Sequence, residues 1–212
     1  MRDYVIALDP RIAPVIAQDW YKVHKLLSDQ MGERVSDAGG AQETRWQFCV
    51  DPRSLIGDPS APSRFIVVRA TEAAAPSIER LAIASEDVHV PAQGDRVRFW
   101  LGGSAKVSAS IDIPAARFAA SASGMSFEEG CARVLLAKSG LSEPSFDGPV
   151  SSRRYDVWKD RRASRPIVKH GVFASGEADV SDLAALSVAL ASGVGRDRGF
   201  GFGVLILEPV GE

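Results

Sequence analysis

Tyr21 and His24, in the stretch WYKVHK, stand three residues apart, a spacing that sets two rings one turn from each other on a single face of a helix. An imidazole and a phenol held together can move protons, one taking a proton from a nucleophile while the other gives one or steadies charge. The same two residues fit a surface histidine with a tyrosine packed at its side, so the pair alone leaves both readings open.

A second group is electrostatic. In SSRRYDVWKDRRASRPIVKH, residues 151–170, the cations Arg153, Arg154, Lys159, Arg161, Arg162, Arg165 and Lys169 face only Asp156 and Asp160, a local formal charge of +5 in a chain whose total is −2. Cations meet phosphates, and the interleaved Tyr155 and Trp158 can stack or brace the strand, which suits an RNA-contacting hairpin. A solvated basic hairpin has the same composition. A third group is the stretch GVGRDRGFGFGVLILEP, which places Gly193, Gly195, Gly199, Gly201 and Gly203 within eleven residues, with Arg196 and Arg198 between them. These glycines follow a helical pattern and enter a strand, the reverse of a P-loop or dinucleotide fingerprint, so a nucleotide cofactor fits poorly. What remains is a loop that lets another backbone come close, with two arginines able to reach phosphates, or a packing loop.

The elements that must position these groups follow from periodicity. Residues 4–8 read as an opening strand closed by Asp9-Pro10, and 13–31 as an amphipathic helix through Val15, Ile16, Trp20, Val23, Leu27 and Met31, stopped at Gly32. Strands are predicted over 44–50, 64–70, 95–103 and 106–113, with 51–63 turn-rich and 71–94 a polar, Ala-rich stretch. In the second half, a helix begins at the cap Ser126 with Glu128 and Glu129 in its first turn and ends at Gly140. Strands follow at 154–158 and 167–173, then a helix capped by Ser181 or Asp179, then a terminal strand at 202–209. Both halves fit split β-α-β units, so the predicted architecture is α+β, two tandem ferredoxin-like (β-α-β-β-α-β) domains, 1–110 and 111–212, joined near 102–115.

Composition bounds the rest. With 212 residues and 45% apolar content the chain can bury one large core or two small ones. Cys49 and Cys131 have no companion at metal-ligand spacing and read as buried free thiols. No stretch has the length of a membrane span and the N-terminal apolar run is too short for a signal peptide, so a cytoplasmic protein with no membrane partner is expected. His89 reads as a surface residue, and His170 as either an RNA contact or a strand-end residue.

The glycine-rich stretch running into an apolar strand resembles the C-terminal loop of the RAMP superfamily of CRISPR-associated proteins, and in particular that of the CasE family, the CRISPR RNA endoribonucleases of Cascade-type (type I-E) systems. In that pattern a basic residue stands where Arg198 stands here. The family also carries a Tyr-x-x-His pair on the helix after the first strand, and YKVHKLL has that form at Tyr21 and His24. Two motifs from opposite ends of the chain agree with one family in order, spacing and chain length.

The resemblance implies a metal-independent, cofactor-free cut in the repeat of a precursor CRISPR RNA, in which the ribose 2′-OH attacks the adjacent phosphate and leaves a 2′,3′-cyclic phosphate. It implies His24 as general acid or base and Tyr21 as the group that orients or stabilises the scissile phosphate. It further implies that the basic hairpin grips the repeat stem-loop, that the glycine loop shapes the cleft, and that the enzyme stays on its product with other Cascade subunits. Members often carry an Arg-Ala-Asn-Pro-like segment where this chain reads FWLGGSAKV at 99–107, which leaves Lys106 as the one cation there. Two alternatives remain: a non-catalytic RNA-binding or structural RAMP subunit, for which the Tyr21/His24 pair has no use, and an unrelated ferredoxin-like interaction module, which has no need of a +5 hairpin.

Overall fold

The computed structural model describes residues 1–8, 20–32, 35–38, 41–54, 65–105, 124–157 and 167–211. Along the chain run β1 (Arg2–Ala7), α1 (Trp20–Met31), β2 (Val35–Ala38), β3 (Ala41–Thr44), β4 (Trp46–Val50), β5 (Phe65–Ala70), α2 (Ala75–Glu79) and β6 (Ala84–Asp87). Then come β7 (Arg96–Ser104), α3 (Phe127–Lys138), β8 (Leu141–Phe146), β9 (Ser151–Val157), β10 (Ile167–Val180), α4 (Leu183–Ser192) and β11 (Val204–Pro209). Two short 3-10 turns, Pro52–Ser54 and Arg198–Phe200, complete the order.

Two antiparallel sheets organise these elements. The first has the order β4-β5-β1-β6 and the second β11-β7-β10-β8, with β9 also paired to β10. Each places the first and third main strands of its unit at the centre, the arrangement of a β-α-β-β-α-β ferredoxin-like fold. The expected tandem architecture is therefore present. The sheets part between Asp87 and Arg96, so the strand predicted at 95–103 pairs with β10 and β11 of the second sheet and not with the first half in which it was placed. The strand predicted at 106–113 and the start of the first helix, 13–19, lie outside the described residues.

Helix α1 forms because Val23, Leu27 and Met31 recur at helical spacing and bury fully, while Gly32, at φ +75°, ends it with its N–H on the Ser28 carbonyl. Those residues cover the outer face of the first sheet with Tyr4, Ile6, Trp46, Phe48, Ile66 and Val68. Helices α3 and α4 cover the second sheet in the same way, through Cys131, Leu135, Leu136, Leu186 and Leu190. Helix α3 starts at Ser126 as predicted, its hydroxyl accepting from Glu129 N–H at 3.1 Å. Helix α4 is capped by Asp182, whose carboxylate accepts from Ala185 N–H at 3.0 Å, and not by the expected Ser181 or Asp179.

The inner faces of the sheets meet. Cys49 and Val67 from the first pack against Val204 and Ile206 of β11, with Val5 and Trp100 at the margin. Strands β4 and β5 are thus covered on both sides, which is why WQFCV and FIVVRA read as continuous runs instead of alternating ones. Polar side chains on this inner face bond to one another and to the end of α4. Arg69 makes a two-point ion pair with Asp3 (Nε to Oδ1 and Nη2 to Oδ2, both 2.7 Å), the side chains 1% and 3% exposed. Gln47 Nε2 donates to the carbonyls of Leu190 and Ala191 at 3.1 and 2.8 Å, and Arg69 Nη1 to that of Leu190 at 3.4 Å. The carbonyl end of α4, where the helix dipole is negative, is thereby held by the first sheet.

Both cysteines are fully buried, Cys49 between the sheets and Cys131 on the inward face of α3. Burial pushes the Cys131 thiol up to about 11 and Cys49 well above its ordinary value. The thiolate is the reactive form, so an aromatic disulfide reagent at pH 8 is expected to label neither cysteine in the folded protein and both after unfolding in guanidinium. Rapid labelling of the native protein would contradict the packing.

Candidate functional site

Tyr21, His24 and Ser28 form a half-buried stripe along the flank of α1, between the core residues Val23 and Leu27 and the exposed Lys22, Lys25 and Leu26. The rings of Tyr21 and His24 are 6.2 Å apart between centroids and inclined by 29°. The imidazole rests on an aromatic floor supplied by β4, with centroids 5.7 Å from Trp46 and 6.3 Å from Phe48. Its Nδ1 is shut away from solvent. Alternation along β4 produces the floor: Trp46 and Phe48 point to the helix while Gln47 points to the other sheet. Trp46 also donates its indole N–H to the Gly32 carbonyl at 3.1 Å, fixing the end of α1 to the start of β4.

Helix α1 lies against α2 and also against strand β9 and the 3-10 turn Arg198–Phe200. The three groups singled out in the sequence therefore converge: the Tyr21/His24 helix, the basic hairpin and the glycine loop. Arg154, exposed on β9, stands opposite His170 of β10, also exposed, and half-buried Arg153 stands opposite Gly171. Lys159, Arg161, Arg162, Arg165 and Lys106 lie outside the described residues.

The glycine loop is folded tightly on itself. Val194 N–H donates to Gly203 C=O at 2.7 Å and Gly203 N–H to Gly102 C=O at 2.6 Å, tying the loop to β7. At Gly203, with φ +95°, a Cβ would lie 2.4 Å from the Val194 carbonyl oxygen, and at Gly193, with φ +81°, 2.5 Å from Gln47 Oε1. Neither position admits a side chain without displacing backbone or the inter-sheet glutamine. Gly199 has open space around it and an ordinary φ, so its lack of a side chain answers to no packing demand.

The loop's cations differ in surroundings. Arg196 is exposed. Arg198 turns inward, its Nη1 donating to Ser192 C=O at 2.7 Å, where it completes the capping of α4 begun by Gln47 and Arg69. Lys169, counted in the sequence with the RNA-facing cations, sits instead within an internal cluster. It forms an ion pair with Asp197, and its Nζ lies 5.0 Å from the centre of the Phe200 ring. Asp197 also accepts from Ser104 Oγ at 2.9 Å. The sequence reading missed Trp46, Phe48, Ser104 and Asp197. The alternation of β4 could have exposed the first two, whereas Ser104 and Asp197 join Lys169 only through pairing of distant segments.

Among the described residues no helix is long and apolar enough to cross a membrane. Residues 121–209 match the family described as CRISPR associated protein. No curated protein is significantly similar in sequence. Over its fold the chain is similar to Thermus thermophilus Cse3 bound to an RNA representing a pre-cleavage complex, at 18% identity and a TM-score of 0.62, covering 99% of this chain and 100% of that one. It is similar to the CRISPR endoribonuclease Cse3 bound to a 19-nucleotide RNA, at 17% identity and a TM-score of 0.63 with the same coverage. It is also similar to the CRISPR-associated protein Cas6e from Escherichia coli K-12, at 17% identity and a TM-score of 0.54, again covering 99% and 100% of the two chains. Residues 121–209 thus match the CRISPR associated protein family, and over 99% of its length the chain shares the fold of the Cse3 and Cas6e structures.

Proposed function

We propose that this protein is a CRISPR-associated endoribonuclease of the CasE type, which cuts precursor CRISPR RNA within the repeat at the base of its stem-loop. The observation that carries the reading is the meeting of the half-buried Tyr21/His24 pair with the basic hairpin and the glycine loop along one flank of α1. The match of residues 121–209 and the shared fold support it.

In the reaction, the ribose 2′-oxygen forms a bond to the adjacent phosphorus as the bond from phosphorus to the 5′-oxygen breaks. The 2′-OH proton goes to a base and the leaving 5′-oxygen takes a proton from an acid, so the ends are a 2′,3′-cyclic phosphate and a 5′-OH. His24 transfers a proton in one of these steps and Tyr21 orients or stabilises the phosphate. The nucleophile belongs to the RNA, so no activated serine or cysteine is required, and the reaction as written needs no metal. Arg153, Arg154, Lys159, Arg161, Arg162 and Arg165 contact the stem-loop through its phosphates, Arg196 reaches the RNA near the cut, and Lys106 is a further RNA contact. After cleavage the protein stays on the stem-loop as a subunit of a Cascade complex.

The test is incubation of the protein with a CRISPR repeat stem-loop RNA in EDTA. The expected result is one cut beneath the stem-loop with a 2′,3′-cyclic phosphate on the upstream fragment. Binding without cutting would leave the reading of an RNA-binding subunit, and cutting only with added Mg²⁺ would overturn the metal-independent route.

A further inference from the structure

Asp197 has an unusual position. It is a non-glycine residue in the left-handed region, φ +59°, at the head of the 3-10 turn Arg198–Phe200, where a side chain of this kind often caps the turn. Here it makes no such cap. Its backbone carbonyl accepts from Phe200 N–H at 2.7 Å, and its carboxylate is turned away from the turn. One carboxylate oxygen meets Lys169 Nζ and the other accepts from Ser104 Oγ. Lys169 and Asp197 are only 11% and 12% exposed, and the lysine ammonium also faces the Phe200 ring. A charge in this setting is committed to its partner, because exchanging it for an outside ligand would strand the carboxylate in a place with little water.

The cluster joins three parts of the site. Ser104 ends β7, Lys169 lies on β10 in the basic hairpin opposite position 155 of β9, and Asp197 heads the turn that packs on α1. Strand alternation explains why Lys169 turns inward: His170 and Arg154 occupy the exposed face of the ribbon, and Lys169 the opposite one.

From this geometry we infer that Asp197 and Lys169 are positioning residues, which lock the glycine-loop turn to the hairpin and so set the turn against the Tyr21/His24 helix. Lys169 is not a phosphate ligand. The inference rests on the proposed RNA cleavage for its kinetic consequence, but the locking itself does not.

The test uses the full chain with Asp197→Asn, Lys169→Met, the double variant and Lys169→Arg. Asparagine tolerates the left-handed backbone and keeps an acceptor for Ser104, so Asp197→Asn removes little besides the charge. Single-turnover cleavage of the repeat stem-loop is expected to slow by about 10- to 100-fold in each single charge-removing variant, the size of effect that a small misplacement of a catalytic group produces. The double variant is expected to be no slower than the worse single one, because the two act as a pair, and Lys169→Arg to retain most of the rate. RNA affinity and its salt dependence are expected to be unchanged.

A phosphate-binding Lys169 gives the opposite pattern. Lys169→Met would then weaken binding and flatten the log–log salt slope by about 0.9, and Asp197→Asn would tighten binding by freeing the lysine; either result overturns the inference. If the wild-type protein does not cut RNA, the proposed function fails separately. Hydrogen exchange of the free protein then decides: faster exchange at the amides of 198–203 in Asp197→Asn upholds the lock, and unchanged exchange overturns it.

Discussion

His24→Ala is expected to cleave the repeat RNA about 10²- to 10⁴-fold more slowly than the wild-type protein, the range that a positioned proton-transfer group contributes, while binding it equally well. The split between rate and binding follows from the setting of the side chain. The imidazole lies over Trp46 and Phe48 on the flank of α1, and the core contacts of the helix belong to Val23, Leu27 and Met31. Truncating it removes the proposed proton-transfer group and leaves the helix seated. Arg153 and Arg154, proposed to hold the RNA, are on another element and stay in place. Single-turnover rates and a gel-shift titration in EDTA check both halves. A variant that cuts normally would remove His24 from the mechanism, and one that loses binding and cutting in parallel would make it an RNA contact.

The largest effect on stability is expected at the ion pair between the sheets. Arg69→Met leaves the Asp3 carboxylate 3% exposed with its two-point partner gone, and uncompensated buried charge of this kind costs about 3–5 kcal/mol. The same change removes one of the donors holding the carbonyl end of α4. Urea unfolding followed by tryptophan fluorescence is expected to show the midpoint falling steeply with little change in slope. The double variant Asp3→Val, Arg69→Met carries no stranded charge and is expected to recover much of the loss. A single variant that unfolds like wild type would mean that Asp3 finds another partner.

The two motifs on which the proposed function rests could be read because each is local: the Tyr-x-x-His spacing sits on one helix and the glycines on one loop. The ferredoxin-like order was legible too, since α1 and α3 have clear apolar stripes and caps. Strand β6 was not. Its sequence ASED is exposed throughout, and it is a strand only because the free edge of β1 offers it backbone partners. Helix α2 spans five residues with a single buried anchor, Ile78, too short for any periodicity to register. The partnership of β7 with β10 and β11 escaped for a different reason: a strand's pattern tells that it is buried, not which sheet buries it. Lys169 shows the same limit at the level of one side chain. Composition counts seven equal cations, and only the pairing of β10 with its neighbours and the return of the loop at Asp197 separate one from the rest.

Strand β10 is fourteen residues long and is bordered unequally along its length. From Gly171 to Asp179 it is flanked by β7, which ends at Ser104 with one further hydrogen bond from Ala105 N–H to His170 C=O. From Ile167 to Lys169 its ladder partner among the described residues is β9. Among the described residues the ribbon there is two strands wide, and two-stranded ribbons twist more strongly than wide sheets. Lys169 stands at the junction, the last residue of β10 before its bonds to Ala105 and β7 begin. There it joins the ribbon to the glycine loop through Asp197, and β9 itself lies against α1, so the placement of the ribbon is tied to that of the helix at two points.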